Sequence, residues 1–210
     1  KIFWDEAYIV HHLTEEIIET PVLLNVSKKY GTQDRVFMFT STSKITFPGA
    51  GVAVMAASEA NLKYLSGLLG AQTISYDKVN QLRHVRFLQD KAHVLELMQR
   101  HAAILRPKFE AVLAALRGIA PLNIASWTEP KGGYFVSVNT EPGLAKRTLA
   151  LCKEAGVVMT GAGATFPYGV DPQDSNIRIA PSLPPVAELQ KAMEVFCASL
   201  KLAALEKLLA

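Results

Sequence analysis

Apolar positions in this chain recur with two periods, one suited to strands and the other to helices. Short runs rich in β-branched and aromatic residues at 1–4 and 36–39 predict sheet strands. Between them, residues 15–19 and 23–31 read as short helical or irregular connections. Residues 58–69 place Ala60, Leu62, Tyr64, Leu65, Leu68 and Leu69 at helical spacing, with Gly70 as the expected C-cap. Residues 79–105 read as one long amphipathic stretch, in which Leu82, Val85, Leu88, Ala92, Leu95 and Met98 recur at three and four residues. Pro107 then predicts a break or kink.

The rest alternates more quickly. Residues 108–116 predict a helix ending near Gly118. Residues 124–127 and 134–138 predict strands flanking Glu129-Pro130-Lys131-Gly132-Gly133, which reads as a hairpin. Residues 144–155 predict a helix closed by Gly156, followed by strands at Val157-Val158-Met159 and Ile177-Arg178-Ile179. Pro185 opens a final helix, the favoured place for proline. No repeat or low-complexity segment interrupts the pattern, and the fold class is α/β with a smaller mixed domain at the C-terminal end.

Composition narrows the function classes. A chain of 210 residues that is 50% hydrophobic and 20% charged can bury a sizeable core. No run approaches the ~18 apolar residues of a membrane span, and nothing resembles a signal peptide. The net charge of +3 is small and dispersed, which argues against nucleic acid. Two distant cysteines, Cys152 and Cys197, form no disulfide framework and read as small buried hydrophobes of a reducing compartment.

The chemistry is concentrated at Thr40-Ser41-Thr42-Ser43-Lys44, directly after Val36-Phe37-Met38-Phe39 and before Pro48-Gly49-Ala50-Gly51. An amine among hydroxyls at the carboxyl end of a buried strand sits where open α/β sheets bind ligands. Such a lysine can bond an aldehyde cofactor, and the hydroxyls can hold a phosphate. Upstream, Ile2-Phe3-Trp4 ends in Asp5, with Tyr8 three residues on. Downstream, Arg178 stands inside an apolar run, where a planar guanidinium can grip a carboxylate in two places.

The remaining histidines and glycines read more plainly. His11 and His12 are adjacent and share no face, and neither has partners at zinc spacing. His84, His93 and His101 read as surface or packing residues of helices. Gly161-Ala162-Gly163 lacks the full dinucleotide spacing and reads as a tight loop before Phe166-Pro167.

Trp4-Asp5-Glu6-Ala7-Tyr8, Ser41-Thr42-Ser43-Lys44, Pro130-Lys131-Gly132-Gly133-Tyr134-Phe135 and Ile177-Arg178-Ile179-Ala180 together resemble the class I aminotransferases of fold-type I, enzymes that use pyridoxal 5'-phosphate (PLP). The wording Ser43-Lys44-Ile45-Thr46-Phe47-Pro48-Gly49-Ala50-Gly51 and Asp77-Lys78-Val79-Asn80-Gln81-Leu82-Arg83-His84 is similar to a subgroup related to aspartate aminotransferases. The resemblance runs over nearly the whole chain.

It implies residue roles. Lys44 is the covalent anchor of PLP and the catalytic base. Asp5 pairs with the pyridine nitrogen, Tyr8 with the ring oxygen, and Ser41 and Ser43 with the phosphate. Arg178 clamps the substrate α-carboxylate. Residues 1–105 correspond to the C-terminal part of the large cofactor-binding domain and residues 106–210 to the small domain. The resemblance further implies an amino acid and a 2-oxo acid as substrates, with aspartate and 2-oxoglutarate as one such pair, and a cytoplasmic homodimer. It also implies a preceding N-terminal portion without which the segment is an incomplete catalyst.

One departure stands out. Relatives carry a phosphate-neutralising arginine in a Pro-Gly-x-Arg turn, and Gly51 occupies that place here. Two alternatives share the same anchors: another fold-type I lyase or decarboxylase, and a PLP-binding effector domain of a transcription regulator.

Overall fold

Val36–Ser41 forms the central strand, β2, of a three-stranded sheet, and its alternation is visible in burial. Val36 and Met38 are buried on one face, while Phe37 and Phe39 stack on Phe3 across the other, with ring centroids 5.5 and 6.0 Å apart. The computed structural model describes residues 1–210. Strand β1 (Ile2–Asp5) pairs parallel to β2, and helix α1 (Leu23–Lys29) lies on the crossover between them, as a parallel connection requires. Strand β3 (Ala53–Ala57) pairs antiparallel on the other side of β2. Its alanine-rich sequence has weak strand propensity. Pairing with β2 makes it a strand, and the residue pattern did not disclose it.

Two helices follow in this unit, each opened by a side-chain cap. Ser58 Oγ accepts the Asn61 N–H at 3.3 Å at the start of α2 (Glu59–Gln72). Asp77 accepts the Asn80 N–H at 2.9 Å at the start of α3 (Lys78–Leu88). Gly70 is not the stop expected of it. The helix runs through to Gln72 and ends where Thr73 turns extended.

The single amphipathic stretch expected over 79–105 is two helices. Gln89 takes φ +56°, ending α3, and Asp90 caps the next helix by accepting the His93 N–H at 2.9 Å. That helix, α4 (Lys91–Arg117), continues unbroken through Pro107. A mid-helix proline costs about 3 kcal/mol. Burial of Phe109, Val112, Leu113 and Leu116 on the following turns offsets it.

The chain divides within α4 into two compact units, Lys1–Arg100 and His101–Ala210. The second unit holds an antiparallel sheet of β4 (Ala125–Trp127), β5 (Val136–Thr140) and β6 (Asn176–Ile179), in that order. Helices α5 (Ala145–Glu154) and α6 (Val186–Leu209) complete it, with Pro185 as the N-cap of α6. Val112, Leu116, Val136, Val138, Ile177, Phe196 and Leu200 are almost wholly buried in this unit. Cys152 and Cys197 are buried too, and burial pushes both thiols above their ordinary pKa.

Val157-Val158-Met159 is not a strand. Gly156 turns left-handed (φ +88°) and the Val157 N–H bonds the Cys152 carbonyl at 2.8 Å, closing α5. A donor spent on a helix end is not available to a ladder. The glycine turn at Gly161-Ala162-Gly163 is the tight loop expected: a β-carbon on Gly163 would overlap the Gly169 carbonyl.

Candidate functional site

Parallel pairing of β1 and β2 puts Asp5 opposite Phe39, so both strands leave the sheet at one edge with their carboxyl ends side by side. The Glu6 N–H bonds the Phe39 carbonyl at 2.7 Å and extends that alignment by one residue. Asp5 then bends the chain by accepting the Ala7 N–H at 2.9 Å, which orients its exposed carboxylate. Two further turns, Ile9 N–H to the Glu6 carbonyl and His11 N–H to the Tyr8 carbonyl, place Tyr8 half-buried beside this edge.

Beyond Ser41 the second chain folds into a tight turn around Thr42. The Thr42 carbonyl accepts the Ile45 and Thr46 N–H groups at 2.9 and 2.8 Å. Thr42 also exchanges two bonds with Val52: its N–H donates to the Val52 carbonyl at 3.0 Å, and its hydroxyl accepts the Val52 N–H at 2.9 Å. The Ser43 N–H reaches Ser41 Oγ at 3.4 Å. Lys44 stands on this turn with its side chain exposed. A β-carbon on Gly51 would lie 2.5 Å from Ser43 Oγ and 3.1 Å from Ser43 N, so that position closes against the serine turn and a side chain there would push Ser43 aside.

Two histidines brace the turn, and neither stood out in the sequence. His11 is buried, and its Nε2 lies 3.2 Å from the Lys44 carbonyl. His84 is also buried, with Nδ1 2.9 Å from the Asn80 carbonyl and Nε2 2.8 Å from the Thr46 hydroxyl. A carbonyl only accepts, so His84 Nδ1 carries the proton and Nε2 receives the hydroxyl. Asn80 donates to the Ala50 carbonyl at 2.8 Å. The available signal was Asp77-x-x-Asn80-x-x-x-His84, a capped helix start with two polar residues four apart on one face. His93, by contrast, is exposed beside Asp90.

The second unit, taken by itself, presents Arg178. Ile177 and Ile179 of β6 point into the core, and Arg178 projects from the opposite face, paired across the sheet with Ser137. Its guanidinium lies over the Phe135 ring, 4.6 Å from the centroid, and its buried Nε has no hydrogen-bond partner in the chain. Asp171 fixes the approach to this strand. Its carboxylate accepts the N–H groups of Gln173, Ser175 and Asn176 at 2.8–3.0 Å. Those bonds hold it below the usual carboxylate range.

Asp5, Tyr8, Ser41, Ser43 and Lys44 thus belong to the first unit, at or beside one sheet edge, and Arg178 to the second. Carboxylate, phenol, hydroxyls, amine and a glycine-lined turn are a donor set suited to a phosphorylated aromatic aldehyde. No group of three or more metal-ligating side chains occurs.

Comparison with known proteins identifies the family and the fold. A family model described as aspartate amino-transferase matches residues 1–210. An aspartate aminotransferase of Corynebacterium glutamicum is 45% identical over 207 residues, covering 98% of this chain and 48% of that protein. The crystal structure of an aspartate transaminase from C. glutamicum superposes with a TM-score of 0.95 at 45% identity, over 98% of this chain and 49% of that one. The α-aminoadipate aminotransferase LysN of Thermus thermophilus, solved with N-(5'-phosphopyridoxyl)-L-leucine, shares the fold alone, with a TM-score of 0.77 at 23% identity over 96% of this chain and 50% of that one. The architecture is that of the fold-type I aminotransferases. The chain spans about half the length of the curated relatives it matches.

Proposed function

This chain belongs to the aspartate amino-transferase family, and we propose that the protein containing it is a PLP-dependent aminotransferase that exchanges an amino group between an amino acid and a 2-oxo acid. The observation that carries this reading is the register of two adjacent parallel strands, which sets Asp5 at the same sheet edge as the Lys44 turn.

When bound, PLP supplies an electron sink conjugated to the substrate α-carbon. Lys44 would hold the cofactor aldehyde through Nζ, and its amine, when free, would take and return the substrate α-proton. Asp5 would hold the proton on the ring nitrogen, and the Tyr8 hydroxyl would donate to the ring oxygen. The Ser41 and Ser43 hydroxyls would receive the phosphate together with backbone N–H groups of the glycine-lined turn. Arg178 grips the substrate α-carboxylate with two N–H groups.

The pair aspartate and 2-oxoglutarate is the substrate reading we favour, supported by 45% identity to a relative that bears the aspartate aminotransferase name. We place the enzyme in the cytoplasm as a homodimer. No helix is long and apolar enough to cross a membrane.

The test uses the full-length protein. Borohydride reduction followed by peptide mapping is expected to place the cofactor on Lys44, and Lys44→Ala is expected to lower turnover by at least about 10²–10⁴-fold, the usual contribution of a proton-transfer group. Cofactor on another lysine overturns the assignment. Release of pyruvate with ammonia, or of carbon dioxide, in place of a 2-oxo acid with a new amino acid, assigns the same anchors to a lyase or decarboxylase.

A further inference from the structure

His11 is the most buried histidine of the first unit, and it touches two of the residues proposed to face the cofactor, Tyr8 and Lys44. Its Nε2 is 3.2 Å from the main-chain carbonyl of Lys44. Its ring meets the Tyr8 ring edge-on, with centroids 5.3 Å apart and planes at 67°. Its own N–H bonds the Tyr8 carbonyl at 3.0 Å. A carbonyl only accepts, so the proton of this ring sits on Nε2 and points at Lys44.

The rest of the Lys44 turn is held from the other side. The Thr42 carbonyl takes the Ile45 and Thr46 N–H groups, and the Lys44 carbonyl between them meets His11. A lysine amine rides on four rotatable bonds, so where its Cα is pinned decides which positions Nζ reaches. Tyr8 is set by the same imidazole. One side chain therefore fixes the spacing between a phenol and an amine on two different chain segments. Catalytic groups tolerate little drift: about 1 Å of misplacement can cost about a hundredfold in rate.

We propose that His11 is a positioning residue, holding the Lys44 amine and the Tyr8 phenol in one geometry through its Nε2–H and its ring contact with Tyr8. This rests on the reading of Lys44 as the cofactor anchor. The rival role is simple core packing, which a phenyl ring would serve equally well.

The experiment uses full-length protein loaded with PLP and compares His11→Phe, which keeps the ring and loses the N–H, with His11→Gln, which keeps an N–H at similar reach. Three readouts are taken: the pH midpoint of the bound cofactor's visible absorbance, kcat against KM, and the thermal melt. For His11→Phe the expected result is a displaced midpoint and a kcat lowered about ten- to a hundredfold, with KM within about threefold and the melt preserved. His11→Gln is expected to recover the midpoint and most of kcat. A folded His11→Phe with wild-type midpoint and kcat overturns the inference and leaves the proposed function standing. Should His11→Phe fail to fold, a folded His11→Gln with the wild-type midpoint supports the inference, and any other behaviour of His11→Gln overturns it. Wild-type protein without cofactor absorbance overturns the functional reading first, and this inference with it.

Discussion

Gly51 closes directly on Ser43: a β-carbon there would meet the serine hydroxyl at 2.5 Å and the serine Cα and N at 3.1 Å. Many members of the family this chain resembles are expected to carry a phosphate-binding arginine at this position, and here a side chain would press on Ser43. An arginine stem would displace the serine proposed to receive the phosphate. Gly51→Ala is expected to weaken PLP binding about tenfold, because overpacking a tight site costs roughly 1–3 kcal/mol. Gly51→Arg is expected to weaken it further instead of restoring a family contact. Titrating PLP into the full-length variants by absorbance checks both. Tighter binding by Gly51→Arg would show that the turn opens readily.

Asp5→Ala removes the carboxylate from the strand-end cluster and leaves Lys44 in place. A hydrogen bond to a charged group contributes roughly 1.5–3 kcal/mol, so turnover is expected to fall at least about tenfold while the cofactor still becomes trapped on Lys44 by borohydride. Steady-state rates and reductive labelling on the same preparation separate the two effects. Near-normal turnover would assign the pyridine nitrogen to another anion.

Arg178→Lys keeps the charge and loses the planar fork that holds a carboxylate in two places. The expected outcome is a KM raised about tenfold or more, with a smaller change in kcat. Phe135→Leu removes the ring beneath the guanidinium, a contact contributing about 0.5–2 kcal/mol, and is expected to raise KM in the same direction but less. Initial rates across a range of amino-acid concentration measure both. An unchanged KM for Arg178→Lys would remove Arg178 from the substrate site.

Asp171 gives the acid side of stability a definite sign. Three backbone N–H groups lower its carboxyl pKa in the folded chain. A depressed folded pKa stabilises above the unfolded value, and that stabilisation is lost as pH falls through the folded one. Asp171→Asn is therefore expected to melt lower at neutral pH and to lose less on acidification, so the two melting curves converge below the ordinary carboxylate range. Thermal melts over a pH series test this. Parallel curves would show that the charge contributes nothing beyond its hydrogen bonds.

What the residue order determined is local or ordered along the chain. Val36-Phe37-Met38-Phe39 is a short apolar and aromatic run, and that content marks a strand, whose two faces the fold then distinguishes by burial. Glu129-Pro130-Lys131-Gly132-Gly133 marks the connection between β4 and β5, Gly156 the end of α5, and Pro185 the start of α6. Asp5 and Arg178 are legible as candidates because each ends or interrupts an apolar run with chemistry that the run does not need, and Lys44 because it follows a hydroxyl cluster after such a run. The tertiary structure decided the rest. Ala53–Ala57 is a strand because β2 offers it a ladder. Val157 is not one because its N–H closes a helix. Pro107 stays helical because the next turns are buried, and the helix breaks instead at Gln89, where the chain turns left-handed and Asp90 starts anew. His11 and His84 read as plain residues until Lys44 and Thr46 arrive beside them from 33 and 38 positions away. Backbone preference acts over a few residues and is written in order. Burial and hydrogen-bond partnership depend on which distant segments meet, so they exist only once the chain has folded.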